Sequence, residues 1–257
     1  MVQAIAGETA LKGRRVIKSR GTGEEHWRTD YLGRQGNGGA ILNQPQAFLV
    51  EMHASESILP HFHEVDQFQV FVAGSGGLGR QSAGLIAVHY ADHHTGYGPI
   101  NAGPHGYSYF TLRAQSDPGA HYLHQPGYRE ALKPSPKRHG IADGLTLSTE
   151  PVLMLRKELA VEPLMPGLDG SGGLGASLIR MGPGMAYTGP DPRETGGQYY
   201  LVLNGSLELA AGNYGKWSTV FVPAADAPLT FSAGAKGLET LLLQFSRNSP
   251  GPVPTNY

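Results

Sequence analysis

Short apolar runs separated by turn residues dominate this chain, and they leave room for little besides strands. Such runs cover residues 47–52, 68–72, 85–90 and 107–112, then 176–181, 199–203, 206–210, 219–222 and 238–245. Each is bounded by Gly, Pro, Asn or Asp, the residues that turn a chain between strands. The supply is generous: 37 Gly and 19 Pro in 257 residues, scattered between the runs. Helical periodicity is confined to residues 126–132 and 150–159, a turn or two each. The pattern predicts an all-β protein.

Three stretches recur in the same order. Leu49-Val50-Glu51-Met52 matches Leu178-Ile179-Arg180-Met181, and the stretch from Gln67 to Gly74 matches that from Gln198 to Gly205. Asn101-Ala102-Gly103-Pro104 matches Ala225-Asp226-Ala227-Pro228 less closely. A fixed order of matches reads as duplication of one β-domain. Between the copies, Pro134-Ser135-Pro136-Lys137-Arg138-His139-Gly140 is basic, polar and proline-bearing, as an exposed connection should be. The expected division is a first domain over 1–125, a linker over 126–150 and a second domain over 151–257.

Charged residues make up 16% of the chain and the net charge is −1. No Lys/Arg-dense stretch provides a footprint for nucleic acid or an anionic membrane. No apolar run approaches the ~20 residues that span a bilayer. The start of the sequence lacks a basic region followed by an apolar one, so a cytoplasmic protein is expected. With no cysteine, any metal site must use nitrogen and oxygen ligands.

All eleven histidines fall between His26 and His139, within the first copy and the linker. His61 and His63 are two apart, so on a strand their imidazoles share one face and can approach one metal together. Gln67 follows closely enough to add an amide oxygen. His105 comes after a Gly/Pro-rich turn at the head of an apolar run. His53 reads as structural, and Asp92-His93-His94 reads as a polar surface loop. Phe71, Tyr107, Tyr109 and Phe110 read as core or pocket lining, with Gln69 and Arg113 as polar groups in the pocket.

The segment His61-x-His63-x3-Gln67-x6-Gly74 resembles the first motif of the cupins, with Gln67 where that family normally has Glu. Gly103-Pro104-His105 resembles the second, although Tyr109 stands at the spacing of its closing Asn. The resemblance implies two tandem cupin (jelly-roll) β-barrels and one divalent metal ion in the first, held by His61, His63, Gln67 and His105. Among Fe, Mn, Zn and Ni it favours Fe or Mn. The second copy has Pro192, Glu194 and Leu229 at the positions aligned with the three histidines, so no metal is expected there.

Three neutral imidazoles and a neutral amide would leave the full +2 charge on the metal, which favours anionic oxygen ligands. The expected function is a metal-dependent enzyme acting on a small, partly aromatic or carbonyl-bearing molecule, with a three-histidine dioxygenase, an oxidoreductase, in front. The alternatives are a non-redox lyase or isomerase resembling the manganese hydroxynitrile lyases, and a non-catalytic cupin that binds a small molecule. The expected partners are that small molecule and a second copy in a homodimer, without nucleic acid or membrane.

Overall fold

In the computed structural model, residues 1–19, 21–33 and 44–249 are described. They are built almost wholly of antiparallel strands, in two compact units. The chain opens with β1 (Gln3–Ile5) and the short helix α1 (Gly7–Leu11). These belong to the C-terminal unit, where β1 pairs with Phe221, Val220 and Thr219.

The N-terminal unit follows, with β2 (Arg15–Lys18), β3 (Glu25–Leu32), β4 (Gln46–Met52), β5 (Ser57–Ile58) and β6 (His61–Phe62). It continues through β7 (Gln67–Leu78), β8 (Gln81–Ala83), β9 (Ala87–Ala91), β10 (Ile100–Arg113), β11 (His121–Tyr122) and β12 (His139–Ala142). Its large sheet runs β12-β9-β7-β10-β4-β3-β2, and β6 pairs with β11 in a separate ribbon.

The C-terminal unit adds α2 (Glu150–Met154), β13 (Ala160–Pro163), β14 (Gly175–Met181), β15 (Ala186–Thr188) and β16 (Gln198–Leu209). It closes with β17 (Gly212–Tyr214), β18 (Thr219–Val222) and β19 (Thr230–Gln244). Its sheet runs β1-β18-β16-β19-β14-β13.

The duplication is visible in the topology: β9-β7-β10-β4 in one sheet has the same order as β18-β16-β19-β14 in the other. Register refines the alignment. Phe68 opposes Leu112 as Tyr199 opposes Leu243, an offset of 131 residues on both strands. The match of 101–104 to 225–228 is therefore misplaced, because 225–228 precede β19. The counterpart of His105 is Lys236 rather than Leu229, and that of Arg113 is Gln244. The shared device at this point is a pair of glycines. Gly74 and Gly106 both have φ of +77°, and a Cβ on Gly74 would lie 2.2 Å from the Gly106 carbonyl oxygen. Gly205 and Gly237 repeat the arrangement, with φ of +66° and +81° and a clash at 2.0 Å. Only glycine accepts both the left-handed backbone and the close approach.

The expected domain limits differ from these units at three places. The first twelve residues join the C-terminal unit, and residues up to Leu145 belong to the N-terminal one. Ser249 also joins the N-terminal unit by donating its hydroxyl to Asp66, and residues 250–257 of the expected second domain lie outside the described set. The supposed linker contains β12, which pairs with β9, and Arg138, whose guanidinium binds the buried Asp92 at 3.0 Å. The loop Asp92-His93-His94 is buried too, with His93 held by Asp66 at 2.7 Å. Buried carboxylates require such partners, and the basic stretch around Arg138 supplies one. No described helix is long and apolar enough to cross a membrane.

Candidate functional site

One face of the N-terminal sheet grades from apolar to polar along its strands. Met52, Leu78, Ile100 and Tyr107 fill one end, and Tyr107 stacks on Phe71 with ring centroids 4.5 Å apart. Two rows of cross-strand partners follow: Val50, Tyr109, Phe71 and Ala87, then Phe48, Thr111, Gln69 and His89. At the far end Arg113 opposes Gln46. These groups share a face because side chains alternate along a strand. Beside them lies a cavity of about 140 Å³ whose lining includes Arg28, His61, His63, Gln69, Tyr109 and Arg113. Phe71 and Tyr107 are not in that lining. They belong to the core beneath it, where the Tyr107 hydroxyl donates to the Ala83 carbonyl at 2.8 Å.

His61 and His63 are both buried, and each holds its Nδ1 in a fixed partnership. His61 Nδ1 lies 2.7 Å from the Leu59 carbonyl oxygen, and His63 Nδ1 lies 2.7 Å from Asp117 Oδ1. Both acceptors require N–H at Nδ1, so both rings carry their lone pair at Nε2. Those lone pairs are already engaged. The Tyr97 hydroxyl donates to His61 Nε2 at 2.8 Å, and Arg113 Nη2 donates to His63 Nε2 at 3.1 Å. Gln67 joins the two halves: its amide nitrogen donates to Tyr97, and its oxygen accepts from Arg113 Nη2 at 2.8 Å and Nε at 3.1 Å. Tyr97 is pinned by paired backbone hydrogen bonds with His61, at 3.1 and 3.0 Å.

The electrostatics follow from burial. Desolvation pulls His61 down to about 3, helped by the neighbouring His63. His63 is lowered by desolvation and by Arg113, against the opposing pull of Asp117. Burial also pushes the Tyr97 hydroxyl well above the usual phenol range. Asp117 lies far below the ordinary carboxylate range, because His63, Arg113 and the amides of Glu64 and Gly119 outweigh its own desolvation. At neutral pH the centre thus has two neutral imidazoles, a protonated phenol, one guanidinium and one carboxylate.

His105 is not part of it. It sits in β10 between Ala102 and Tyr107, where the register with β7 shifts and four residues stand against the single Ser75. The bulge turns His105 outward, and it is exposed. The group that meets His61 and Gln67 instead is Tyr97. Among the described residues, no three His, Cys, Asp or Glu side chains form a group that could hold a metal. The donors present therefore do not fit a three-histidine centre. A dication on His63 Nε2 would also have to displace Arg113, whose Nη2 donates to that lone pair at 3.1 Å.

Tyr97, Asp117, Arg28 and His89 carry no motif and lay outside the sequence reading of the site. His89 is fully buried with Nδ1 2.8 Å from Gln69 Oε1, and its ring lies 5.0 Å from that of Tyr97.

No family model matches the chain, and no curated protein matches its sequence. Solved structures do match in fold. A Nostoc punctiforme "putative dioxygenase" shares 13% identity at a TM-score of 0.60, covering 99% of this chain and 88% of its own. A variant of Bacillus subtilis oxalate decarboxylase shares 12% at 0.57, covering 98% and 79%. Lactobacillus farciminis oxalate decarboxylase in a formate complex shares 11% at 0.55, covering 98% and 86%. The fold of this chain is that of the cupins.

Proposed function

We propose that the chain is a cupin-fold enzyme that moves a proton on a small carbonyl-bearing molecule, a lyase or isomerase without redox change. One observation carries the reading. His63 lines the cavity while its Nδ1–H is fixed on the buried carboxylate of Asp117, the arrangement that orients an imidazole as a general base. The ring is neutral before it acts, and Asp117 stabilises the imidazolium formed when it takes a proton. Arg113 Nη2 donates to His63 Nε2 at 3.1 Å; on this reading it turns to the substrate oxygen on which negative charge develops, and so frees the lone pair to take the proton. His61, Tyr97 and Gln67 hold Arg113 and one another in register. The cavity lies below the ~300–1,000 Å³ of sites for larger ligands, which points to a small substrate. On this reading the two sheets are walls of two tandem jelly rolls, the second without the groups for chemistry.

The test is a screen of small carbonyl compounds for uptake of solvent deuterium under nitrogen. Exchange catalysed by the wild type and lost in His63→Gln is the expected result; turnover only with oxygen and added Fe(II) sinks the proposal.

A second reading is a metal-dependent dioxygenase with His61 and His63 as its two histidine ligands. The fixed Nδ1 partners favour it, since ligating histidines are oriented in this way. Tyr97 and Arg113 would both have to leave their present bonds.

A further inference from the structure

We infer that the side-chain amide of Gln69, flanked by the hydroxyls of Tyr109 and Thr111, binds the carbonyl oxygen of the substrate, and that the ligand of this cavity is an uncharged ketone or aldehyde rather than an anion. The inference rests on the reading of the cavity as the substrate site and adds the recognising residue and the chemical class.

Gln69 lies on β7 and lines the cavity together with Tyr109 and Thr111 of β10. Thr111 is its direct cross-strand partner, and Tyr109 stands two residues away on the same face. All three are buried, at 2%, 4% and 2% exposure. Each nonetheless keeps a polar atom without a partner. Gln69 uses one end of its amide: Oε1 lies 2.8 Å from Nδ1 of His89, which is wholly buried and outside the cavity lining. Burial holds His89 well below the usual imidazole range, so the ring is neutral and has a single N–H.

That contact fixes which end of the amide faces the cavity. With the ring hydrogen on Nδ1, only the Nε2 lone pair of His89 is left unmatched. The reversed amide would move the hydrogen to Nε2 and bury an N–H with no acceptor, the costlier orphan. The Gln69 amide nitrogen is thereby left with N–H donors to spare. Among the described residues, neither that nitrogen nor the hydroxyls of Tyr109 and Thr111 have a hydrogen-bond partner. These three atoms are not sealed off as His89 Nε2 is, and their side chains line the cavity.

The charged side chains of the wall are committed elsewhere. Arg28 Nε binds Asp30 at 2.8 Å, and the three nitrogens of Arg113 bond to Gln46, Gln67 and His63. Recognition therefore falls first on neutral groups. Placed beside Phe48, Val50 and Ile58, they suit an uncharged molecule with one polar oxygen and an apolar body. A carbonyl oxygen has two lone pairs: one accepts from Gln69, and the other is left for Arg113 as charge develops. An apolar ligand of the same shape would instead leave the amide desolvated and unmatched.

The experiment is an NMR titration of the full chain with cyclopentanone. Methylenecyclopentane serves as the shape-matched probe without oxygen and sodium acetate as the anion, all at one ionic strength. The side-chain amide signal of Gln69, identified by its loss in Gln69→Met, is expected to shift saturably with the ketone. Methylenecyclopentane is expected to bind about tenfold more weakly, and Gln69→Met to lose about the same factor for the ketone alone. No shift of that signal, equal affinities for the two cyclic probes, or unchanged ketone affinity in a folded Gln69→Met overturns the assignment. Acetate binding tighter than the ketone overturns the class. If Gln69→Met does not fold, the two cyclic probes in the wild type decide. Deuterium uptake separates this claim from the functional reading. Ketone binding without exchange counts against proton transfer alone, and exchange at unaltered KM in Gln69→Met counts against Gln69 alone.

Discussion

Acid should unfold this protein partly through His61, and the size of the effect can be worked out. The imidazole lies at about 3 in the folded chain against 6.5 for the free group. An unfolded chain therefore takes up a proton below pH 6.5 that the folded chain refuses. The stability associated with the neutral ring is complete above pH 6.5 and is lost as pH falls toward 3. From 6.5 to 4.5 the loss is two pH units at 1.36 kcal/mol each, about 3 kcal/mol. That is a large fraction of a typical total of ~5–15 kcal/mol. His63 and His89 are shifted in the same direction by burial and add to the loss. Asp117 does not interfere, because its depressed carboxyl keeps its contribution until pH falls below the ordinary carboxylate range. Urea unfolding of wild type and His61→Asn at pH 7 and 4.5 isolates the term. The variant is expected to lose about 3 kcal/mol less stability over that interval than the wild type. Equal losses in the two proteins would refute the claim that His61 is buried and neutral.

Three further outcomes follow from the geometry. His105→Ala, at an exposed bulge, is expected to leave stability within about 0.5 kcal/mol and activity intact, as urea unfolding and turnover would show. Asp117→Asn removes the carboxylate that serves His63, Arg113 and two backbone amides, so a loss of about 3–5 kcal/mol in urea unfolding is expected, with a matching collapse of turnover. Gly106→Ala places a Cβ 2.5 Å from the Met52 carbonyl oxygen at φ of +77°; a cost of about 1–3 kcal/mol is expected, and an unchanged melting curve would count against the register of β4 and β10.

The strands and the duplication were legible because both rest on local pattern: alternation between turn residues, and Gln67–Gly74 repeated as Gln198–Gly205. The pairing of His61 with His63 on one side of a cavity was legible for the same reason, a spacing of two. The partner of that pair was not. A Gly-Pro-His stretch resembles a ligand turn in one dimension, whereas four residues bulging against Ser75 turn His105 to solvent. Tyr97 comes from a Gly-Tyr-Gly-Pro turn with no periodic signal, and its place beside His61 is created by backbone pairing across 36 residues. Arg113 was visible as a polar group ending an apolar strand, but its contact with His63 depends on how β7 and β10 align. Charge pairing hid the remainder: Asp92 and Arg138 look like loop and linker until the buried ion pair joins them.

Metal content after expression with Fe, Mn and Zn supplied, measured by mass spectrometry on the intact chain, bears most directly on the central claim that Tyr97 and Arg113 complete the His61–His63 centre. The account predicts no stoichiometric metal, and no change between wild type and His61→Ala. One metal per chain, lost in His61→Ala, would contradict it.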